Sequence, residues 1–387
     1  MLLLTTILAF FLIVTVLVAA HEYGHYLFAR IFKMGVEEFA IGFGRPYWVW
    51  RRKAYDTPNG PEETEFTLRP LPLGGFVRIK GMISETENPL DDSTSNIPGG
   101  FYSKSPFARF MVLFAGPLFS VVAGIAILVP MYMAQGLPQR STKPVIGSLG
   151  EGGPAASAGL KIGDLVLSID GLPIKRFSDL VFTVRERANQ PLAFTVEREG
   201  KVISTTVTPI LGPDPTPVLD ENLEETGVLK KQGRILAGPE EERVPATFGQ
   251  ALGRAVSAPV EMIKSLFGIA TGQRKASEEV GGPITMFKAT QKTVEVGVTK
   301  VIELGALLSI SIGIFNLLPI HPLDGGQMLV AFLEMLRKGK RLSLKARESI
   351  SKVGLAMLAL IFFGVFYVDI VRWIVPEKKP TPVAEQR

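Results

Sequence analysis

Four stretches of the chain are long and apolar enough to cross a lipid bilayer as helices. A helix rises about 1.5 Å per residue, so roughly 20 apolar residues are needed to cross a hydrocarbon core of about 30 Å. The hydrophobic pattern therefore predicts a multi-pass α-helical membrane protein with four transmembrane helices. Their approximate ranges are 1–28, 107–134, 301–319 and 353–375.

The first stretch, MLLLTTILAFFLIVTVLVAA, has an alternative interpretation. An apolar N-terminus that ends in two alanines is typical of a cleavable signal peptide. However, no basic residue precedes the apolar run, and cleavage after Ala20 would leave the sequence HEYGH at a free terminus. A retained transmembrane helix is the favoured interpretation.

The basic residues predict the orientation. Lys and Arg are frequent in the loop between the first two stretches and in the loop between the last two, where RKGKRLSLKAR spans 337–347. With four spans these loops lie on one side, and the positive-inside rule makes that side cytoplasmic. Both chain ends and the central insert are then extracytoplasmic. This topology accounts for most of the formal charge of +5, so no nucleic-acid partner is expected.

The first part of the insert, 135–212, has the pattern of a small α+β domain. Short β-rich runs at 165–169, 192–196 and 202–207 alternate with Gly and Asp turn signals, and 178–187 favours a helix. The sequence PAASAGLKIGDLVLSIDG resembles PDZ domains attached to bacterial proteases. PDZ domains commonly bind an extended peptide or a C-terminus at a sheet edge. A size filter or spacer without peptide capture is the alternative.

The other polar segments are less specific. Residues 213–300 begin Pro- and Glu-rich, which favours a linker, and then repeat apolar residues at helical spacing: Leu252, Val256, Val260, Ile263 and Phe267. This amphipathic helix lies either on the membrane surface or against a neighbouring domain. In the first cytoplasmic loop, 66–81 predicts a membrane-associated β-hairpin around Gly74 and Gly75, with edges able to hold another extended chain. Residues 377–387 form a polar tail.

The candidate chemistry lies at the end of the first apolar stretch. The chain has no cysteine and three histidines, so a metal would be held by His, Asp or Glu. On a helix His21 and His25 are one turn apart on one face, and Glu22 is displaced around the helix and can reach water at a shared metal, as in the HExxH motif of zinc hydrolases. Ionisable groups within a span are costly and usually functional. A polar cluster that packs helices together is the structural alternative.

A catalytic zinc usually has a third protein ligand. The segment NLLPIHPLDGG, 316–326, follows the third apolar stretch and carries Asp324 beside a Gly-Gly pair. Its two prolines interrupt the helix, so freed backbone groups must face protein, water or a cavity. The predicted topology puts HEYGH and Asp324 at similar depth, near the cytoplasmic side.

These motifs together resemble the site-2 protease family of intramembrane zinc metalloproteases, in the form of the bacterial regulators of sigma-factor signalling. The resemblance rests on HEYGH, NLLPIHPLDGG, the PLGGFVRIKG loop, the PDZ-like segment and the GGPI sequence at 281–284. It implies one catalytic Zn²⁺ held by His21, His25 and Asp324, with Glu22 as the general base. It further implies that Asn316 contacts the substrate backbone or the oxyanion, and that the loop with Gly74, Gly75 and Phe76 presents an edge to an unwound substrate.

The resemblance also implies substrates and a location. The substrates would be single-span membrane proteins already trimmed outside the cytoplasm, such as anti-sigma factors or signal-peptide remnants, with peptide C-termini as partners of the PDZ domain. The enzyme would lie in the bilayer of the bacterial inner membrane. Two alternatives stay open: a non-catalytic PDZ scaffold with a structural metal, and a metal transporter. Glu22 argues against the first, because a structural site needs no base.

Three features depart from the family pattern. His321 lies in a segment that is more uniformly apolar in many relatives. It binds zinc, orients Asp324 or faces cytoplasmic water. The last two roles are favoured, because three ligands and a water complete a catalytic zinc site. Ser120 lies where relatives often have Asn, which puts any role of that Asn in doubt here. One PDZ-like segment replaces the tandem pair of some relatives.

Overall fold

The computed structural model describes residues 2–57, 60–82, 97–150, 152–212, 216–219, 225–274 and 280–374. The chain divides into two compact units. One unit combines Met1–Ala134 with Ala246–Trp373, and the other contains Gln135–Pro245. The predicted tail, 377–387, lies outside the described residues.

The first unit is mainly helical, and four helices among its described residues are long and apolar enough to cross a membrane. These are α1 (Leu2–Ile31), α2 (Pro106–Gln135), α7 (Val298–Asn316) and α9 (Leu344–Ile374). Three further helices of this unit are α5 (Phe248–Ala270), α6 (Pro283–Val296) and α8 (Asp324–Leu336). The chain is therefore a membrane protein with four apolar helices at the predicted places in the sequence.

Small residues let the apolar helices approach closely. A Cβ on Gly124 of α2 would lie 2.6 Å from the carbonyl oxygen of Ala306, and one on Gly313 of α7 would lie 2.7 Å from that of Pro117. Close packing through small residues is how helices associate when both sides are apolar and the hydrophobic effect between them is weak. The close packing of α2 and α7 fixes the relative positions of the side chains that they carry.

A four-stranded sheet follows α1. Its strands are β1 (Val36–Phe43), β2 (Trp48–Thr57), β3 (Gly60–Leu68) and β4 (Leu71–Ile79), in the order β2-β3-β1-β4. The predicted hairpin at 66–81 is wrong, because Gly74 and Gly75 lie inside the single strand β4, which pairs antiparallel with β1. The Gly-Gly pair predicts only local structure, whereas in the sheet β1 lies between β3 and β4. As a result β4 is an edge strand, and it packs against α1.

The predicted amphipathic helix corresponds to α5, which packs against α7. Small residues of α5, including Ala251 and Ala255, are buried, whereas the apolar residues of a second face are exposed: Phe248, Leu252, Val256, Val260, Ile263 and Phe267. The residues Arg254 and Glu261 form an ion pair of 2.7 Å. An exposed apolar face beside a helix that can span a membrane is typical of a segment in contact with lipid.

Helix α6 was not predicted, and its N-terminus is capped from α9. The buried carboxylate of Asp369 accepts hydrogen bonds from the backbone N–H groups of Ile284 (2.8 Å) and Thr285 (3.2 Å), and from the Thr285 hydroxyl. A carboxylate at a helix N-terminus satisfies donors that have no partner within the helix. Capping of α6 is therefore a structural role for Asp369, and the presence of this acidic residue in the apolar helix α9 does not require a role in transport.

Helix α8 begins at Asp324 and is tied to α2 at its other end. Arg109 Nη2 donates a 2.6 Å hydrogen bond to Glu334 Oε2, and the two side chains are 3% and 0% exposed. Glu334 Oε1 accepts a second bond from the Leu342 backbone N–H, at 2.9 Å. Removing one partner of a buried pair usually costs about 3–5 kcal/mol of stability. The pair therefore helps to hold α8, and with it Asp324, against α2.

Within its described residues, the second unit contains the helices α3 (Pro154–Ser157) and α4 (Phe177–Glu186) and twelve short strands. The strands are β5 (Leu137–Arg140), β6 (Ile146–Leu149), β7 (Leu165–Ile169), β8 (Leu172–Pro173), β9 (Leu192–Arg198), β10 (Lys201–Val207), β11 (Ile210–Leu211), β12 (Thr216–Leu219), β13 (Glu225–Lys230), β14 (Gly233–Arg234), β15 (Ala237–Pro239) and β16 (Glu241–Val244). A four-stranded sheet of this unit has the order β10-β9-β7-β8.

This unit extends beyond residue 212, the end assigned to the α+β domain from the sequence. The reason is long-range pairing: β15 pairs with β6, and β16 pairs with β5. Such pairing leaves no local periodicity, which is why the sequence of this part favours a linker. The apolar core includes Val166, Phe194 and Ile235. Assignment of the unit to the PDZ fold stays a prediction.

Candidate metal centre

Two helices bring together the three residues proposed as metal ligands. His21 and His25 lie one turn apart near the C-terminal end of α1, and Asp324 is the first residue of α8. The histidines are 7% and 8% exposed. Among the described residues, these three form a group whose ligand atoms all lie within 4.8 Å of one another.

The distances in this group are short. His21 Nε2 lies 3.0 Å from Asp324 Oδ2, and His25 Nε2 lies 3.3 Å from the same oxygen. The two Nε2 atoms lie 3.2 Å apart. Each side chain therefore directs a ligand atom toward one small volume, as tetrahedral coordination of a metal requires.

The outer nitrogens of both rings have their own partners. His25 Nδ1 donates to the backbone carbonyl of Val112 at 2.8 Å, and His21 Nδ1 lies 2.9 Å from the Ser120 hydroxyl. A carbonyl oxygen only accepts, so the Val112 contact places the proton of a neutral His25 on Nδ1 and leaves Nε2 with a free lone pair. Such support of ligand histidines is the usual arrangement in metal sites.

Helix α2 fits closely around these rings. A Cβ on Gly116 would collide with the imidazole of His25, and a Cβ on Gly24 would collide with the backbone carbonyl of Ala115. Glycine at both positions therefore allows α1 and α2 to approach and lets the His25 ring reach Val112. Sequence reasoning did not find Gly116 or Val112, since a backbone acceptor leaves no side-chain signal.

The group lies in a cavity of about 1040 Å³. Glu22 lines the same cavity, and its carboxylate accepts a hydrogen bond from the backbone N–H of Val77 on β4. Four consecutive residues of this edge strand line the cavity: Phe76, Val77, Arg78 and Ile79. The candidate base thus lies beside both the ligand group and the outer edge of β4.

Two of the four predicted substrate-binding residues line this cavity. Asn316, the last residue of α7, lines it, as does Phe76. Gly75 faces α1 and Ala40, because a Cβ there would lie 2.5 Å from the Ala40 carbonyl oxygen. Gly74 has a φ of 154°, and a Cβ on it would lie 3.0 Å from the ring of Phe43. The glycines therefore shape the strand, whereas Phe76 borders the cavity.

His321 does not belong to the ligand group found among the described residues. Its backbone is packed between the first turn of α8 and helix α9, since a Cβ on either Gly326 or Gly354 would collide with it. The residue therefore fixes the segment that leads into Asp324. The role of its imidazole stays a prediction.

The donor set suits a divalent cation. The outer nitrogens of both imidazoles have hydrogen-bond partners, so each ring would direct a lone pair inward. The carboxylate of Asp324 adds a third lone pair. A cation or a proton is needed to stabilise three lone pairs this close together. Nitrogen and oxygen donors of this kind are those that zinc takes in catalytic sites. The residues present therefore fit a metal ion.

Comparison with known proteins decides the family. Residues 9–361 match the model of peptidase family M50. The chain belongs to peptidase family M50. Two relatives of this M50 peptidase cover nearly all of it: the regulator of sigma-W protease RasP of Bacillus subtilis is 28% identical, with 95% of this chain and 98% of the relative covered. The zinc metalloprotease RasP of Geobacillus kaustophilus is 29% identical, with the same coverage.

A third relative is a candidate zinc metalloprotease of Brucella suis. It is 33% identical, and the alignment covers 94% of each chain. Among solved structures, the PDZ domain of an SdrC-like protein from Listeria monocytogenes matches 24% of the M50 peptidase and 93% of its own length, at 14% identity and a TM-score of 0.17. This similarity is too low to assign a fold to that segment.

Proposed function

We propose that this M50 peptidase is a zinc enzyme that hydrolyses peptide bonds within the membrane-spanning segments of single-span proteins. The observation that carries the proposal is the convergence of His21, His25 and Asp324 beside Glu22 in one cavity, among helices that can span a membrane. The names of the two RasP relatives, a zinc metalloprotease and a regulator of sigma-W protease, support it.

The proposed chemistry assigns a role to each residue. His21, His25 and Asp324 would hold a single zinc ion, which when bound supplies a Lewis acid for the peptide carbonyl and lowers the pKa of water. Glu22 takes a proton from the attacking water, and it lies on the helix that carries both histidines. Asn316 borders the same cavity, where its amide can donate to the substrate backbone or the oxyanion.

We further propose that the substrate binds as an extended strand along β4. A helical substrate has its carbonyl groups already hydrogen-bonded, so it must unwind before attack. The outer edge of β4 supplies replacement partners, and its Val77 N–H already reaches the Glu22 carboxylate. A strand on this edge would pass the candidate base, with Phe76 and Arg78 beside it.

A cleavage assay tests the function. The purified full-length chain and a model single-span protein with a helix-destabilising segment are combined in bilayers, and the products are mapped by mass spectrometry. The expected result is a cut within the apolar span. Cuts confined to soluble flanking residues would contradict the proposal, because they require no bilayer-embedded site.

The proposed orientation places the loop after α8 in the cytoplasm and the second unit outside, in a bacterial inner membrane. Because the native chain contains no cysteine, single cysteines report the side unambiguously. We expect an impermeant maleimide to label Lys201→Cys in intact spheroplasts, and Lys340→Cys only after the membrane is opened. Both positions are exposed to solvent. The reverse pattern would contradict the orientation.

The binding of peptide C-termini by the second unit and the identity of the substrates belong to the same proposal. Anti-sigma factors and signal-peptide remnants are suitable substrate classes, since both are single apolar spans left after an outer segment is removed. The relative named as a regulator of sigma-W protease supports the first class.

A further inference from the structure

The hydroxyl of Ser120 is buried next to a proposed zinc ligand. Ser120 lies on α2 and is 0% exposed, and its Oγ is 2.9 Å from His21 Nδ1. If His21 binds a cation through Nε2, its proton resides on Nδ1, and Ser120 is then the acceptor of that N–H. A buried imidazole N–H without such a partner would be costly.

A second buried serine contacts the backbone of Ser120 but not the ring of His21. Ser309 on α7 is also 0% exposed, and its Oγ donates to the backbone carbonyl of Ser120 at 2.7 Å. The packing is tight here, because a Cβ on Gly313 would lie 3.1 Å from Ser120 Cβ. Helix α7 thus packs against the backbone of Ser120, whereas of the two serine hydroxyls only that of Ser120 contacts the ring of His21.

The two histidines differ in how they are supported. His25 donates to the backbone oxygen of Val112, which no substitution removes, whereas His21 depends on a side chain. We propose that Ser120 is a positioning residue that sets the tautomer and orientation of His21 and thereby raises the affinity for zinc. The proposal rests on the zinc function proposed above, and it adds a side chain of α2 to the contacts that support a zinc ligand.

The test measures the zinc dissociation constant of the purified full-length protein by competition with a chelator. We expect S120A to raise the Kd about 10- to 100-fold, as loss of an outer hydrogen bond to a ligand usually does. S120T keeps the hydroxyl and should bind zinc nearly as the native chain does. S309A is the matched control: it removes an equally buried hydroxyl that does not contact His21, so its Kd should stay close to native.

Thermal unfolding of the metal-free protein separates positioning from packing. S120A and S309A each lose one buried hydrogen bond, and we expect both to lower the unfolding midpoint by similar amounts while S120A alone loses affinity. A native Kd in S120A, or an equal loss in S309A, would overturn the proposal. The variant H21A separates failure of the metal site from failure of the role of Ser120. If H21A binds zinc with the native Kd, the proposed metal site is wrong. If H21A loses zinc and S120A does not, only the role of Ser120 is wrong.

Discussion

Glu22→Gln is expected to slow peptide cleavage by at least two orders of magnitude while the protein retains its zinc. Glutamine keeps the shape of the side chain and its contact with the Val77 N–H, but it cannot take a proton from water. A positioned general base contributes about 10²- to 10⁴-fold to the rate, so kcat should fall by that factor. Single-turnover cleavage of a model single-span substrate measures the rate, and metal analysis of the same sample measures the zinc content.

A second carboxylate in the cavity offers a matched control. Glu37 lines the same cavity but is exposed and lies on β1. Glu37→Gln should therefore leave kcat within a few fold of native, since general bases act only within hydrogen-bond reach of their proton. Full activity of Glu22→Gln, or an equal loss in Glu37→Gln, would remove Glu22 from the role of base. A scaffold or transporter would show no cleavage in the native chain.

Asp324→Ala is expected to remove both zinc and activity. Asp324 Oδ2 contacts the Nε2 atoms of His21 and His25, at 3.0 and 3.3 Å. Without it two imidazoles remain, fewer than the three protein ligands of catalytic zinc sites, so zinc content should fall from about one ion per chain to a small fraction. Metal analysis after gel filtration gives the value directly.

The control for this substitution is Gln327→Ala. Gln327 lies one turn farther along α8 and lines the same cavity, but it is outside the ligand group. We expect that variant to keep its zinc. Retention of zinc by Asp324→Ala, in protein whose unfolding midpoint stays near native, would mean that another residue completes the site.

The ligand group shows what a sequence can predict about a site. The spacing of His21 and His25 places both on one face of a helix, because a separation of four residues is about one helical turn. Asp324 is 303 positions from His21. It could still be proposed as a ligand, because its carboxylate lies beside a helix break at the depth expected for HEYGH. In the structure these residues meet, and their roles stay predictions until zinc is measured.

Other parts of the site had no local signal. The carbonyl of Val112 and the space left by Gly116 matter because of where α2 lies relative to α1, which side-chain patterns do not encode. The hairpin expected around Gly74 is instead one strand of a sheet, because β1 inserts between β3 and β4. Helix α8 begins with Asp-Gly-Gly, a sequence typical of a turn, and is stabilised by tertiary contacts such as the one between Arg109 and Glu334.

Zinc at this site is proposed to drive cleavage inside the membrane-spanning segment. To test this, the metal is removed from the purified chain with a chelator, and zinc is titrated back during cleavage of a single-span substrate in bilayers. We expect no cleavage by the metal-free chain, full recovery at about one zinc per chain, and no recovery in Asp324→Ala. Cleavage by the metal-free chain at the native rate would show that zinc is not required.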